Sequence, residues 1–354
     1  MGIIPDLWLG KKIVVTGHTG FKGAWLTYIL NSLGVQVFGI SLPANQPRSL
    51  YEDAQIAKLV KQEFIQDIRN FEKLELIIDE IKPDYVFHLA AQALVRESVL
   101  DPIATISTNV LGTSNLLIAA FKHSNLLGIT VATTDKVYEN EENGKSFIED
   151  DKLGGLDPYS ASKAGTEIIT KALTWSNNRH KIPVTTVRAG NVIGGGDWAS
   201  DRLVPDIVRA LESAQTLQIR NITASRPFQH VLDCIFGYLL VAQNHISSQS
   251  DELFNSYNFG PDGSLTVLNL IQKFSLAFGN NLEIQEIKSQ IVEQNQLHLD
   301  NSKAKKELNW IPKYTPIESI EDTASWYARF LKKDDIFEIM RESLDKYGRY
   351  KNAM

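Results

Sequence analysis

The chain has 354 residues, 43% of them hydrophobic, enough to bury a substantial core and to build one large domain or two lobes. Its formal net charge of -6 gives nucleic acid no long-range attraction, while leaving room for a local basic patch that receives phosphate. The single Cys234 excludes an intrachain disulfide framework and a cysteine-rich zinc site, and the seven histidines show neither HExxH nor a close helical pair. No uncharged apolar run reaches the roughly 18 to 20 residues of a membrane span, and "MGIIPDLWLGKKIVV" has no basic region ahead of a signal-like segment. The expectation is a cytoplasmic protein with no metal.

In chain order, "KIVVTG" predicts a strand, and "FKGAWLTYILNSLG" a helix with Phe21, Trp25, Ile29 and Leu33 at helical spacing that Gly34 ends. "VQVFGI" is the second strand. "FEKLELIIDEI" then precedes the strand "DYVFHLAA", and a helix through "TNVLGTSNLLIAAFKHS" precedes "LLGITVATTD". A further helix, "YSASKAGTEIITKALTWSNN", leads to the strand "VTTVRAG". Strands alternating with helices mean a parallel sheet covered on both faces.

After Gly190 the texture changes to the glycine-rich "NVIGGGDWASDRLVP", while "QHVLDCIFGYLLVAQ" predicts a helix that returns to the first lobe. The predicted class is α/β: a Rossmann-like parallel sheet with a smaller C-terminal substrate-binding lobe. Residues 1–190, rejoined by 228–258, would form the nucleotide-binding domain; 191–227 and 259–354 would form the substrate domain.

"TGHTGFKG" places Gly17, Gly20 and Gly23 at the first strand-to-helix junction. Glycine permits the tight turn and close backbone approach there, and the helix N-terminus offers free N–H groups to a pyrophosphate. The acid that usually follows the second strand and holds the ribose is missing: "FGISLPANQPRSL" offers Ser41 and no carboxylate before Glu52. NADP therefore stays open beside NAD, with Arg48 as a candidate for a 2′-phosphate. Asp67, after the next strand, is placed near the adenine.

Tyr159 and Lys163 in "DPYSASK" share one face of their helix. An ammonium beside a phenol stabilises phenolate, so the tyrosine can take a proton from an alcohol. Thr134, ending the preceding strand, can donate to the same substrate oxygen. Asn191, the flexible glycines at 194 to 196, Arg202 and Arg226 are candidates for a second diphosphate site, because guanidinium forks suit phosphate. His88 reads as a cofactor neighbour or packing residue, and His230 as the entry to a helix. The lysines of "LDNSKAKKELNW" read as a charged helix contributing to fold.

On "VTGHTGFKGAWL", "VFHLAAQALVRES", "TNVLGT", "TTDKVYEN", "DPYSASK", "RAGNVIGGGDWASDRLVPD", "RPFQHVL" and "NFGP", the chain resembles the extended short-chain dehydrogenase/reductases. Within them it is most similar to the CDP-glucose 4,6-dehydratase family. The resemblance implies a tightly held NAD, conversion of CDP-D-glucose to CDP-4-dehydro-6-deoxy-D-glucose and water, and a homodimer or higher homo-oligomer. It implies a cofactor site of Gly17, Thr19, Gly20, Phe21, Lys22, Gly23, Asp67, Ile68, Leu89, Ala90, Ala91, Asn109, Tyr159 and Lys163. Asn191 and Arg226 would face the diphosphate, and Gln92, Arg96 and Ser98 the sugar.

In related dTDP-glucose enzymes the equivalent of "TDK" has Asp followed by Glu: an acid for the departing 6-OH and a base at C5. Here Asp135 matches the acid and Lys136 stands in place of the base. A lysine serves as base only when neutral, and otherwise stabilises an enolate by its charge or forms a salt bridge with Asp135. Two other functions stay open: epimerisation or 4,6-dehydration of another nucleotide sugar, and a non-enzymatic NAD(P)-sensing scaffold.

Overall fold

In the computed structural model, which describes residues 2–44, 48–140, 144–247, 252–279, 281–287 and 297–349, the alternating apolar runs become one sheet. Its strands are β1 (Lys12–Thr16), β2 (Gln36–Ser41), β3 (Gln62–Ile65), β4 (Tyr85–His88), β5 (Ile129–Ala132), β6 (Val184–Ala189) and β7 (Phe254–Phe259). Their spatial order is β7-β6-β5-β4-β1-β2-β3 and every pairing is parallel. The chain winds outward from β1 to β3, then crosses back to β4. This reversal opens a crevice beyond the carboxyl ends of β1 and β4, where open α/β sheets bind ligands.

Successive strand residues face opposite sides of the sheet, so Ile13 and Val15 join one apolar cluster and Val14 the other. One face is covered by helices Phe21–Ser32 and Val231–Ile246, the second being the return helix expected from its apolar pattern. The other face is covered by Phe71–Ile81, the run Pro102–Ala120 and Pro158–Ser176. The Asn70, Asp101 and Asp157 side chains cap these three by accepting from the N–H groups of Lys73, Ala104 and Ser160.

The run Pro102–Ala120 matches a membrane span in length, with a mean hydropathy of 1.3, an exception to the expectation that no segment would. Half of it is buried in the protein, and a π-helical turn at Ser107–Leu111 interrupts it.

β7 was not legible in "FNSYNF", yet it pairs with β6 over its full length. The remaining C-terminal elements form short pairings, Leu217–Ile219 with Ile284–Glu286 and Ser225–Arg226 with Leu265–Thr266, and the helices Leu203–Ser213, Val267–Phe278, Pro316–Leu331 and Ile336–Arg349. The lysine-rich helix Ser302–Leu308 contributes packing and ion pairs, Ala304 and Leu308 being buried and Lys305 pairing with Asp262 at 2.8 Å.

Candidate active site

A cavity of about 990 Å³ lies above the carboxyl ends of the strands and reaches into the C-terminal segments. Its first wall is the glycine turn. Gly17 has φ +75°, and a Cβ on it would stand 2.7 Å from the Ala90 nitrogen; a Cβ on Gly23 would stand 2.1 Å from the Gly17 carbonyl oxygen. The turn thus closes directly onto the first turn of helix Phe21–Ser32, leaving a backbone-lined cradle that fits a pyrophosphate. Gly17, Thr19, Gly20, Phe21, Lys22 and Gly23 border the cavity, as do Asp67, Ile68, Leu89, Ala90 and Ala91.

The missing acid at the end of β2 is replaced by a hydroxyl pair, Ser41 Oγ with Thr19 Oγ1 at 2.7 Å. Asp67 reaches the cavity, its carboxylate held by Arg69 at 2.6 Å and kept below the usual range by that hydrogen bond. Arg48 is engaged elsewhere. It forks onto Glu212 at 2.8 and 3.0 Å, lies over the Trp198 ring, and does not border the cavity, which removes the observation behind a 2′-phosphate site.

Tyr159 and Lys163 sit one turn apart on the buried face of helix Pro158–Ser176, and both border the cavity. Burial pushes the Tyr159 phenol up to about 12, against a hydrogen bond with Thr134 that favours its ionised form. Burial likewise pushes Lys163 down to about 7, assisted by the charge of Lys22 and opposed by Glu167. The Lys163 ammonium donates to the Ala132 carbonyl at 3.0 Å, which fixes it against the end of β5.

Thr134, Asp135 and Lys136 follow β5 after Thr133, with Thr134 capping a 3-10 turn over Asp135–Val137, and all three border the cavity. Asp135 is buried; Oδ1 accepts from Thr134 Oγ1 at 2.9 Å, and Oδ2 has no hydrogen-bond partner among the described residues. Lys136 Nζ makes no hydrogen bond or ion pair to protein among the described residues, so the adjacent pair is not a salt bridge.

Three expected site residues and the glycine run make contacts of their own. Gln92, Ser98 and Asn109 do not border the cavity. The Gln92 side chain folds back onto Leu94, donating to its carbonyl and accepting from its N–H. Ser98 is fully buried and its Oγ accepts from the Tyr159 N–H at 3.0 Å, so it seats the start of the helix. Asn109 pins the loop after β4 to that helix, accepting from Gln92 N at 2.8 Å and donating to Ser162 Oγ at 2.8 Å. The glycines at 194 to 196 are packing glycines as much as phosphate-approach glycines: a Cβ on Gly195 would stand 1.9 Å from the Trp326 ring, and only Gly194 borders the cavity.

Asn191, Arg96, Arg202 and Arg226 do border it. Arg202 pairs with Asp197 at 3.0 Å and acts electrostatically on Tyr159. Arg209, Arg220 and Asp201 also line this half and carried no sequence signal; Asp201 bridges Arg96 at 3.0 Å and Arg220 at 3.3 Å. His88 is a framework residue, bonded to Thr16 and Thr113, and held near 3 by burial and by Lys163. His230 caps its helix by accepting from Leu232 N, and pairs through Nε2 with Asp322 at 3.2 Å.

A profile of the family described as GDP-mannose 4,6 dehydratase matches residues 14–323. The CDP-glucose 4,6-dehydratase of Salmonella typhimurium is 38% identical, with 98% of each chain covered. The dTDP-glucose 4,6-dehydratase of Haemophilus influenzae is 26% identical over 89% of this chain and 95% of its own. Among solved structures, the dTDP-glucose 4,6-dehydratase from Bacillus anthracis in complex with NAD shares the fold at a TM-score of 0.77. At 23% identity, that alignment covers 91% of this chain and 98% of the other. The chain belongs to the GDP-mannose 4,6 dehydratase family, within the extended short-chain dehydrogenase/reductases.

Proposed function

We propose that the protein is an NAD-dependent CDP-glucose 4,6-dehydratase, converting CDP-D-glucose to CDP-4-dehydro-6-deoxy-D-glucose and water. The observation that carries this reading is the convergence on one cavity of two sets of groups: Tyr159, Lys163 and Thr134, and beside them Asp135 and Lys136. A 4-epimerase needs only the first set. Elimination of the 6-OH also needs an acid and a base or cation at C5 and C6, and the second set supplies these. The CDP-glucose enzyme of Salmonella typhimurium, similar over 98% of each chain, supports the same substrate.

NAD fits the glycine cradle, with Asp67 and Ile68 on the adenosine side and Tyr159 and Lys163 beside the nicotinamide ribose; the hydroxyl pair at β2 and the engagement of Arg48 by Glu212 favour it over NADP. When bound, it supplies a two-electron acceptor that takes hydride from C4 and returns it to C6, so no external reductant is consumed.

Tyr159 removes the proton of the 4-OH while Thr134 donates to the same oxygen, and Lys163 holds the phenolate by charge. The 4-ketone acidifies the C5 hydrogen. Asp135 delivers a proton to the departing 6-OH, and Lys136 either receives the C5 proton or stabilises the enolate while another base takes that proton; a proton exchanged with solvent is later delivered to C5. Asn191 and Arg226 take the substrate diphosphate, with Arg96 toward the sugar.

The expected lobes, 1–190 with 228–258 and 191–227 with 259–354, are retained as the working division, supported by β7 and the helix Val231–Ile246 belonging to the main sheet layer. A cytoplasmic location is retained with it. The mutually packed helices around 95–120 and 158–176 expose Leu100, Ile103, Ile106, Leu111, Ile168 and Trp175. A second copy of the chain is the proposed cover for these apolar side chains. Ile103→Asp should then turn a dimer into a monomer by light scattering; an unchanged mass would refute this face.

The decisive experiment is a panel of CDP-, dTDP-, UDP- and GDP-glucose read by mass and NMR for loss of water and a 4-keto-6-deoxy product. CDP-glucose should be the preferred substrate, and a 4-epimer without water loss would overturn the reading. On the preferred substrate, Lys136→Met should slow C5 exchange with solvent deuterium by at least about 10-fold while C4 oxidation persists. Native exchange in Lys136→Arg would assign charge, rather than proton transfer, to this position.

A further inference from the structure

Asp135 and Lys136 present a problem of support. Neither Asp135 Oδ2 nor Lys136 Nζ has a protein partner among the described residues, and the one bond at the Asp135 carboxylate comes from its neighbour Thr134, within the same segment. Their placement is inherited from the short segment between Thr133 and Tyr138. Both ends of that segment meet one buried ion pair.

The pair is Glu167 and Arg188, with side chains 1% and 4% exposed. Arg188 forks onto Glu167 at 2.9 and 3.0 Å. At the near end of the segment, Thr133 Oγ1 donates to Glu167 Oε1 at 2.5 Å. At the far end, Arg188 donates to the Tyr138 hydroxyl at 2.7 Å, and that hydroxyl donates onward to Asn258 Oδ1 at 2.7 Å. The amide of Asn258 then donates to the carbonyls of Phe147 and Asp300, and the Tyr138 ring stacks on Phe147 with centroids 4.8 Å apart. None of Glu167, Arg188 and Tyr138 borders the cavity.

Resting on the dehydratase reading, we infer that Glu167, Arg188 and Tyr138 act as a clamp on the Thr133–Tyr138 segment, positioning residues that set Asp135 and Lys136 for the C5–C6 elimination. Glu167 lies one turn beyond Lys163 on the same helix, so the clamp also ties the elimination groups to the helix that carries the oxidation groups. Buried ion pairs are weak sources of net stability compared with apolar packing of the same volume, and their best-attested use is to select one arrangement. Beyond bonding each other, the pair's polar atoms meet the segment at Thr133 and Tyr138, β6 at Thr186, and the Glu149 carbonyl, and the arrangement selected includes that of the segment.

Tyr138→Phe is the sharpest test, because it removes one hydroxyl and keeps the ring stack. Two readouts are required. In the free protein, hydrogen exchange across 133–140 should accelerate by about 10-fold, with helix Pro158–Ser176 unchanged. In turnover with CDP-glucose, C5 deuterium exchange should fall by about 10-fold with KM held within about 2-fold, and reduced cofactor should accumulate because C4 oxidation is spared. Thr133→Val, which frees the other end, should give the same split. Equal slowing of C4 oxidation and C5 exchange, or unchanged hydrogen exchange in both variants, would overturn the clamp. If the native enzyme fails to dehydrate CDP-glucose, the functional reading falls and the exchange measurement on the free protein alone decides the clamp.

Discussion

Two helices pack on the same face of the sheet and bury opposite chemistries. Helix Phe71–Ile81 buries Leu74, Ile78 and Ile81, the apolar stripe expected of a helix laid on a sheet. Helix Pro158–Ser176 buries Tyr159, Lys163, Thr166, Glu167, Thr170 and Thr174 at the same spacing, and leaves Ile168 and Trp175 60% and 67% exposed. Helical spacing alone therefore tells which residues share a face, but not which face goes inward. In the second helix the inward face is decided by partners that arrive from β5, β6, the turn after β5 and the Pro102–Ala120 run and bond Lys163, Thr166 and Glu167, while Thr174 bonds back to the Thr170 carbonyl.

The comparison is sharpened most by Glu167→Ala. It leaves Arg188 charged and buried with its main partner gone, so a loss of about 3–5 kcal/mol is expected in denaturant unfolding, together with slowed turnover. Leu74→Ala in the other helix should cost about 2–5 kcal/mol through its cavity, with turnover per folded molecule unchanged. Equal effects on turnover from the two substitutions would break the distinction.

Tyr159→Phe should lower turnover by about 100-fold or more with little change in stability, because the ring still fills its site and only the proton acceptor is removed. Transient kinetics should show the loss at the first oxidation; near-native rates would move that role to another group.

The smallest effect is also the most diagnostic of a polar stripe kept for chemistry. Lys163 has a folded value near 7 against 10.5 unfolded, so between those values the unfolded chain holds the extra proton and stability rises with pH. Below 7 both states are protonated and the burial penalty is fully present. Lys163→Met should therefore raise the melting temperature by a few degrees at pH 6, by less at pH 9, while abolishing turnover. Thermal unfolding at matched cofactor occupancy checks this, and a gain that grows with pH would refute it.

The apolar alternation that yields β1 to β6, the glycine turn, and the shared face of Tyr159 and Lys163 were determined by the sequence alone. Each depends on a short-range rule: strand period, the conformational freedom of glycine, or helical spacing. Tertiary structure alone decided that "FNSYNF" becomes β7, whose strand character comes from pairing with β6 rather than from its own pattern. It also decided that Gln92, Ser98 and Asn109 support the site from behind, that Arg220 and Asp201 enter the cavity, and that Arg48 turns away to Glu212. These outcomes depend on which polar atoms find partners across 17 to 164 residues of chain, as Gln92 does with Asn109 and Arg48 with Glu212, and no local periodicity encodes that distance.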